Sequence, residues 1–366
     1  MRGYFFGFRL WKRFWGDIRP FFDCDRFDFL GGDPAGEELL ERARKRGLGE
    51  GESAIYLWGR TEYPALERFA KEREIPLYRV EDGFVRSLGL GSDLTRPYSL
   101  VVDGRGIYFD PTQPSDLEHL LETAEFERSL LERAERLREY IVTHKLSKYN
   151  VYRDREIPLP GRRPGQEIAL VPGQVEDDAS IRYGADGMSN LELLRAARER
   201  APRAYLVYKP HPDVLAGNRR GRVPEREARR YCDAIVTEAS LDSVLARADT
   251  IHTMTSLVGF EALLRGKEVH TYGMPFYAGW GLTRDARQCA RRTRRRSLAE
   301  LVAATYLLYP RYLDPESGER CGIERTLEGL ERLRRRYNDE RFYRWRVDAR
   351  NALMRRAQGL MNTLKR

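Results

Sequence analysis

Short apolar runs and helix-like segments alternate along this chain, and that alternation constrains its fold more than any other feature. In the second half, apolar runs near 168–171, 204–208, 234–237, 250–253 and 268–272 are separated by helical patterns near 190–200, 241–247 and 256–265. Strands that alternate with helices predict a parallel, doubly wound sheet. A similar series fills the first half, starting with an apolar run at 54–58. We therefore predict an α/β fold with two Rossmann-like domains.

The segment 158–165 is rich in Pro, Gly and Arg, which places the predicted domain boundary there. We predict an N-terminal domain over 1–160, a second domain over 161–290 and C-terminal helices over 291–366. Two Rossmann-like domains with an interdomain cleft correspond to the GT-B architecture of glycosyltransferases. Within the first domain, the patterns at 99–102 and 106–109 predict a β-hairpin.

The composition of the chain indicates its location and the charge of its partner. No apolar run approaches the ~20 residues that a membrane span needs, and residues 1–20 lack the apolar core of a signal peptide. The four cysteines lie far apart without C-x-x-C spacing, so we expect reduced thiols and a cytoplasmic location. The net charge of +9 indicates an anionic partner, which leaves nucleic acid, anionic lipid and acidic sugar nucleotides open.

Polar clusters follow four of the predicted strands. Ligands of open α/β sheets bind beyond the carboxyl ends of the strands, so this placement favours an enzyme. The clusters are Glu81-Asp82, Gln174 to Asp178, His211, and Thr255-Ser256.

Thr255 and Ser256 stand at the start of a predicted helix. Their hydroxyls and the backbone N–H groups there suit a phosphate, although an ordinary helix cap has the same pattern. Glu261 lies further along this helix, where its carboxylate either accepts hydrogen bonds from a ribose diol or faces solvent.

His211 lies between Pro210 and Pro212, which stiffen the backbone around it. A histidine held in this way can donate a proton or a hydrogen bond to a leaving phosphate. The preceding Lys209 can pair with a carboxylate or a phosphate. The alternative is a turn histidine without a chemical role.

Adjacent carboxylates at Glu81 and Asp82 precede a turn at Gly83. One of them can serve as the general base for an acceptor hydroxyl. Arg86 can bind an anionic substrate, and Gly89 lets backbone approach a ligand closely. The alternative is a capped turn with surface acids.

The acidic run Glu176-Asp177-Asp178 has three interpretations. It is a solvated turn, a divalent-metal site, or a segment that supplies a carboxylate nucleophile. The aromatic, glycine-rich stretch 272–282, which contains Tyr277, either stacks on a base or sugar or is a packed loop.

Taken together, these stretches resemble the β-Kdo transferase modules of the KpsC capsule-synthesis family. The similar segments run in consistent order and are 80–92, 146–150, 170–181, 208–214, 252–263 and 275–283. Members of the family usually carry two modules in tandem, whereas this chain holds one copy. Its stretches at 7–11 and 174–181 are similar to the C-terminal module, which implies a β-(2→7) Kdo linkage.

The resemblance implies a retaining transfer of Kdo from CMP-β-Kdo to a Kdo-terminated glycolipid in capsular polysaccharide linker synthesis. It implies double displacement, with Asp178 as the nucleophile in a Gln-x3-Asp-x-Ser motif. The Glu/Asp-Asp-Gly and His-Pro motifs, shared with bacterial sialyltransferases, make Glu81, Asp82 and His211 catalytic. The implied donor-binding residues are Gln174, Ser180, Lys209, Pro212, Thr255, Ser256, Glu261 and Tyr277, and the implied acceptor or sugar-binding residues are Gly83, Arg86, Ser87 and Gly89.

The resemblance further implies no cofactor and no metal, and Asp23-Cys24-Asp25, the only Asp-x-Asp triplet, lies outside the predicted donor domain. The expected partners are CMP-β-Kdo, a lipid-linked Kdo oligosaccharide and a companion Kdo transferase module. One alternative is a sialyltransferase-like enzyme for another CMP-ulosonate. A nucleic-acid-binding protein, suggested by the pI of about 9.3, is disfavoured because the polar clusters contain carboxylates.

The C-terminal stretch 340–364 predicts a basic amphipathic helix. From Leu353 onward its apolar residues follow helical spacing, and arginines fill the other positions. Such a helix can lie on an anionic leaflet, which places the enzyme at the inner face of the inner membrane. The alternative is that the helix packs onto the body of the protein.

Overall fold

The computed structural model describes residues 1–8, 17–31, 37–88, 95–148, 157, 159–217 and 219–363, with side chains described up to residue 353. The strands, in chain order, are β1 Arg2–Phe6, β2 Arg26–Leu30, β3 Ser53–Trp58, β4 Leu77–Asp82, β5 Ser99–Asp103, β6 Ile168–Pro172, β7 Tyr205–Lys209, β8 Ala234–Ile235, β9 Thr250–Thr253, β10 Glu268–Thr271, β11 Arg284–Asp285, β12 Pro310–Leu313 and β13 Arg320–Cys321.

The helices are α1 Glu38–Arg44, α2 Pro64–Glu72, α3 Asp116–Thr123, α4 Arg128–Thr143, α5 Ala179–Gly184, α6 Asn190–Arg200, α7 Pro212–Leu215, α8 Glu225–Ala228, α9 Leu241–Arg247, α10 Leu257–Leu264, α11 Leu298–Val302, α12 Ile323–Asp339 and α13 Arg341–Thr363. No described helix combines the length and the low polarity that crossing a membrane requires.

The chain forms two compact units that are discontinuous in sequence. Unit 1 comprises Met1–Ile107, Leu146–Val151 and Thr305–Arg366, and unit 2 comprises Tyr108–Lys145 and Tyr152–Ala304. This division differs from the predicted domains 1–160, 161–290 and 291–366. The C-terminal segment returns to unit 1 because β12 adds to the sheet of that unit beside β5.

Unit 1 has a seven-stranded mixed sheet in the order β13-β12-β5-β4-β3-β1-β2. The pairs among β1, β2, β3 and β4 are parallel, whereas β5, β12 and β13 join in antiparallel pairs. Strands β1 to β5 follow the 2-1-3-4-5 order of doubly wound folds. A dense aromatic cluster that includes the stacked rings of Phe5 and Tyr56, 4.7 Å apart, packs against this sheet.

The hairpin expected over 99–109 is wrong. Strand β5 exists, but residues 106–109 form no strand. The buried carboxylate of Asp103 accepts hydrogen bonds from the backbone N–H groups of Arg105 and Gly106 and ends the strand in a turn. The antiparallel partners of β5 are β4 and β12 instead.

Unit 2 has a six-stranded sheet in the order β11-β10-β9-β6-β7-β8, and all its pairs are parallel. Counted within the unit, this is the 3-2-1-4-5-6 order of the Rossmann fold. The strand order reverses between β6 and β9, so the ligand crevice of such a sheet lies beyond the carboxyl ends of these two strands. The α/β prediction is confirmed, and Ser189 caps α6 with the reciprocal bonds of a capping box to Glu192.

Candidate functional site

Gln174 links the ends of β6 and β9, the two strands between which the strand order of unit 2 reverses. We call this place the switch point. It follows β6, and its buried side-chain oxygen accepts hydrogen bonds from the N–H groups of Thr255 and Ser256, at 3.0 and 3.1 Å. Its amide nitrogen donates to the Thr255 hydroxyl at 3.0 Å. Gln174 therefore fixes the turn that enters α10. Both N–H groups that were expected to suit a phosphate therefore already bond to Gln174, and a phosphate contact of the Thr255 and Ser256 hydroxyls stays a prediction.

Tyr277 supports the same turn from behind. Its ring is fully buried, and its hydroxyl donates to the Ser256 carbonyl at 2.6 Å. A side chain at Gly259, on the first turn of α10, would clash with this hydroxyl. We expected Tyr277 to bind the donor directly, but the structure gives it a positioning contact. The neighbouring Phe276 and Trp280 are buried as well, which agrees with the packed-loop alternative.

Glu261 lies within α10 and is 4% exposed, which rules out the solvent-facing alternative. The other residues of this helix are apolar or glycine. Burying a carboxylate is costly unless hydrogen bonds compensate it. The ribose diol stays a predicted partner of this buried carboxylate.

The acidic run after β6 splits into three carboxylates with different partners. One oxygen of Glu176 accepts from the backbone N–H of Asn190 at 2.7 Å, and Asp177 pairs with Arg219 at 3.2 Å. Asp178 caps α5, with Oδ1 accepting from the N–H and the hydroxyl of Ser180 at 3.0 and 3.1 Å. About half of the Asp178 side chain stays exposed, at 48%. A fixed and accessible carboxylate suits a nucleophile.

Arg219 and Asn190 were not identified from the sequence as parts of this site. The Nη2 atom of Arg219 lies 3.9 Å from Oδ2 of Asp178. Asn190 is buried and donates to the carbonyls of Gln174 and Gly221, at 2.8 Å each. The sequence offered little signal for either residue, because their roles depend on the return of the loop at 219–221 to the end of β6.

His211 lies beside this carboxylate group, and its ring is oriented by its own turn. Nδ1 accepts a hydrogen bond from the backbone N–H of Asp213 at 3.2 Å, so the neutral ring carries its proton on Nε2. Burial lowers the pKa of His211, while the charges of Asp213 and Asp178 oppose that shift. His211 is therefore a neutral hydrogen-bond donor near pH 7. Pro212 starts the short α7.

Lys209, the last residue of β7, donates to the Ala239 carbonyl at 2.8 Å. Burial lowers the pKa of its ammonium group. This observed partner is a backbone carbonyl rather than the carboxylate or phosphate expected for Lys209.

In unit 1, Asp82 and Arg86 form a buried ion pair. Nε of Arg86 lies 2.7 Å from Oδ2 of Asp82, and the arginine side chain is 0% exposed. It also donates to the hydroxyl of the buried Ser87 at 3.0 Å. The expectation that Arg86 binds an anionic substrate is therefore corrected, because its guanidinium is enclosed and pairs with Asp82.

The neighbouring residues of this turn are tightly placed. Glu81 ends β4 together with Asp82, and its Oε1 accepts from the Asp82 N–H at 3.0 Å. A Cβ on Gly83 would clash with Ser99, so only glycine fits there. The predicted contact at Gly89 lies outside the described residues.

No cluster of three or more His, Cys, Asp or Glu side chains suited to a metal ion occurs among the residues that the structure describes. The Asp-x-Asp triplet has structural partners instead. Asp23 pairs with Arg311 and Arg320, at 3.0 and 2.6 Å, and Asp25 pairs with the amino terminus at 2.7 Å.

Comparison with known proteins identifies similar chains. A family model described as capsule polysaccharide biosynthesis protein matches residues 53–312. The capsule polysaccharide modification protein LipA of Neisseria meningitidis serogroup B is 45% identical over 330 residues, which are 89% of this chain and 45% of LipA. The lipopolysaccharide-processing protein LpsZ of Rhizobium meliloti is 46% identical over 281 residues, 76% of this chain and 63% of LpsZ. The chain thus spans about half the length of LipA.

Two solved structures from Thermosulfurimonas dismutans KpsC are also similar. The β Kdo 2,7 transferase aligns with a TM-score of 0.73 and 38% identity over 91% of this chain and 99% of that one. The β Kdo 2,4 transferase aligns with a TM-score of 0.73 and 35% identity over 90% of this chain and 98% of that one.

Proposed function

This chain belongs to the capsule polysaccharide biosynthesis protein family that includes the KpsC Kdo transferases, and we propose that it transfers Kdo from CMP-β-Kdo to a Kdo-terminated glycolipid. The observation that carries the proposal is the group at the carboxyl edge of unit 2. There a fixed, half-exposed Asp178 carboxylate, the neutral His211 ring and the Arg219 guanidinium adjoin the switch point of a Rossmann-type sheet.

In the first step of the proposed double displacement, a carboxylate oxygen of Asp178 attacks the anomeric carbon of Kdo. The bond from that carbon to the CMP phosphate oxygen breaks, and its electron pair stays on the phosphate. The Nε2–H group of His211 donates a hydrogen bond to the departing phosphate as its charge develops. The product of this step is CMP and a glycosyl ester on Asp178.

In the second step, an acceptor hydroxyl attacks the same carbon, and the bond to Asp178 breaks with its electron pair returning to the carboxylate. The hydroxyl proton passes to a base. We propose Glu81 for this role, because Asp82 is bridged by the buried Arg86. Two inversions give net retention of configuration.

We extend the proposal to the GT-B class and to a β-(2→7) linkage. The strand order of unit 2 supports the class. The linkage rests on the motif around Gln174 and Asp178, because identity to the 2,7 and 2,4 transferases is nearly the same. NMR analysis of the product would assign it.

We also propose that the enzyme works without metal or cofactor and docks on the inner face of the inner membrane, where a lipid-linked acceptor would lie. Support for docking comes from α13, on which Phe342 and Trp345 stack and are 71% and 64% exposed. The proposed partners also include a companion Kdo transferase module but not nucleic acid.

The test is mass spectrometry of the protein and its products after incubation with CMP-Kdo and a soluble Kdo-terminated acceptor, in excess EDTA. Wild-type protein should extend the acceptor by one Kdo. Asp178→Asn should abolish extension while retaining CMP binding, because the amide fits the same place but is a poor nucleophile.

A fully active Asp178→Asn protein, or Kdo attached to another residue, would contradict the assignment. Activity restored only by added magnesium would contradict metal independence, and a panel of other CMP-ulosonates would reveal a sialyltransferase-like donor.

A further inference from the structure

We propose that Arg219 binds the carboxylate that a ulosonic acid donor carries next to its anomeric carbon, and thereby selects this class of sugar. The inference rests on the proposed function and names the part of the site that recognises the sugar's charge. In Kdo, as in any 2-ulosonic acid, the carbon under attack bears a carboxylate directly. A nucleophile of the same charge must approach that carbon, so the site needs a cation beside the nucleophile.

Arg219 is in the right place for this cation. Its Nη2 atom is 3.9 Å from Oδ2 of Asp178, whereas Ser180 holds the opposite oxygen, Oδ1. A sugar carbon bonded to Asp178 would bring its carboxylate, one bond further, within reach of the same guanidinium. Arginine offers five N–H donors in a planar fork that matches a carboxylate. The pair with Asp177 at 3.2 Å uses one of those donors.

Contacts of the backbone beside Arg219, rather than contacts of its exposed side chain, fix the position of this residue. The backbone N–H of Glu176 donates to the carbonyl of Arg220 at 3.1 Å, which joins the loop to the segment before Asp178. Asn190 holds the carbonyls of Gln174 and Gly221.

Gly221 also has a backbone conformation that favours glycine, with φ of +123°. A Cβ there would lie 2.7 Å from the Gln174 carbonyl oxygen. These contacts hold the loop at 219–221 beside the segment that carries Asp178.

Arg219 transfers no proton in this scheme. As the Asp178 oxygen bonds to the anomeric carbon and the phosphate leaves with its electron pair, the guanidinium keeps its charge and neutralises the sugar carboxylate. Arginine stays protonated in proteins, so this role is constant with pH.

The experiment compares Arg219→Gln with wild type by two measurements, kcat/KM for CMP-Kdo and Kd for CMP. We expect kcat/KM to fall about tenfold to a hundredfold, as for loss of a charged hydrogen bond, with Kd for CMP unchanged. CMP carries the phosphate and the base but no sugar carboxylate. Arg219→Lys should recover part of kcat/KM, and Arg220→Gln, in the same loop, should match wild type.

Three results would overturn the inference. Wild-type kcat/KM in an active Arg219→Gln protein would remove Arg219 from sugar recognition. An equal loss of CMP affinity would make it a nucleotide-binding or loop-folding residue. A wild-type protein that transfers no Kdo would overturn the proposed function, and this inference with it.

Discussion

The carboxylates of Glu81 and Asp82 are adjacent in sequence but have different partners. Asp82 forms a pair with an arginine that is 0% exposed, and removing one member of a buried pair typically costs about 3–5 kcal/mol. We predict that Asp82→Asn lowers the free energy of unfolding by an amount of this order. Urea denaturation measures it, and a variant as stable as wild type would show that the pair contributes little.

Glu81→Gln is the matched variant, one position away. We predict that it keeps the stability of wild type but loses transfer, because the amide cannot accept the proton of the acceptor hydroxyl. Steady-state kinetics with the soluble acceptor measure this loss. Full activity in Glu81→Gln would return the role of base to Asp82 or to a residue elsewhere.

His211 provides a third prediction for a single residue. His211→Ala should lower kcat about 10²–10³-fold, the usual effect of removing one hydrogen-bond donor to a developing negative charge. Because burial lowers the pKa of His211, the ring donates its Nε2 hydrogen while neutral, so kcat should stay level as pH rises above 6.5. A rate that falls as the histidine loses a proton would indicate an acid instead. His119→Ala, at an exposed histidine, is the control.

Sequence alone identified the residues that have local motifs but not their partners. Asp178 and His211 were named from short patterns around them, and the structure places them in one charged group. The sequence does not show that Arg86 and Tyr277 are buried, because burial is decided by tertiary packing. Arg219 contacts Asp177 across 42 residues of sequence, a separation that no short pattern reveals.

The helices and strands also differ in how well the sequence predicts them, according to whether their signals are local. Helices α6 and α9 and strand β9 have the predicted bounds, because caps such as Ser189 and Ser240 are local signals. The hairpin prediction failed because β5 takes its partner, β12, from about two hundred residues further along the chain. No periodicity in a short window contains that information.

Helix α13 packs by one face and exposes the other. Tyr343 lies under the Arg336 guanidinium, and Asp348 accepts from the Tyr337 hydroxyl at 2.7 Å, so this face contacts α12. Phe342 and Trp345 lie on the exposed face, together with Leu353, which is 61% exposed. The packing alternative therefore holds for the side of α13 that faces α12, and the membrane contact stays a prediction. The apolar positions expected after Leu353 lie outside the described side chains.

We predict that the double substitution Phe342→Ser and Trp345→Ser weakens binding to vesicles rich in anionic lipid, while transfer to a soluble acceptor stays at the wild-type level. Aromatic side chains flanked by arginines favour the interface of an anionic leaflet. Vesicle sedimentation at two salt concentrations measures the effect. Leu308→Ser, at another exposed apolar side chain of unit 1, should bind as wild type does. Equal binding by the double variant would exclude this face as the membrane contact.

For the whole molecule, the sequence predicted two α/β sheets but not their membership. The alternation of strands and helices in the second half of the chain predicts the parallel sheet of unit 2, because strands β6 to β11 follow one another in the chain. Unit 1 takes strands from both ends of the sequence, so contiguous boundaries could not describe it. Its sheet is mixed because β5 pairs antiparallel with β4 and the C-terminal segment adds the antiparallel strands β12 and β13.

The stability of the molecule should depend on pH through a pair of stacked histidines in unit 2. His252 on β9 and His270 on β10 are direct neighbours, with ring centroids 4.6 Å apart. Burial, with smaller effects from His270 and Arg200, lowers the pKa of His252 to about 3. Burial also lowers the pKa of His270, although Glu268 opposes the shift. The folded protein therefore keeps His252 neutral where an unfolded chain takes up a proton.

Stability from this source is complete above pH 6.5 and is lost as pH falls from 6.5 towards 3, because only the unfolded state gains the proton there. At pH 5 the loss from His252 should be about 2 kcal/mol, given 1.36 kcal/mol per pKa unit. Urea denaturation between pH 5 and pH 8 measures it against His252→Asn, which cannot titrate. The wild-type curve should fall more steeply on acidification than that of His252→Asn. The exposed control His119→Asn should follow wild type, and parallel curves for wild type and His252→Asn would show that the buried ring does not control acid stability.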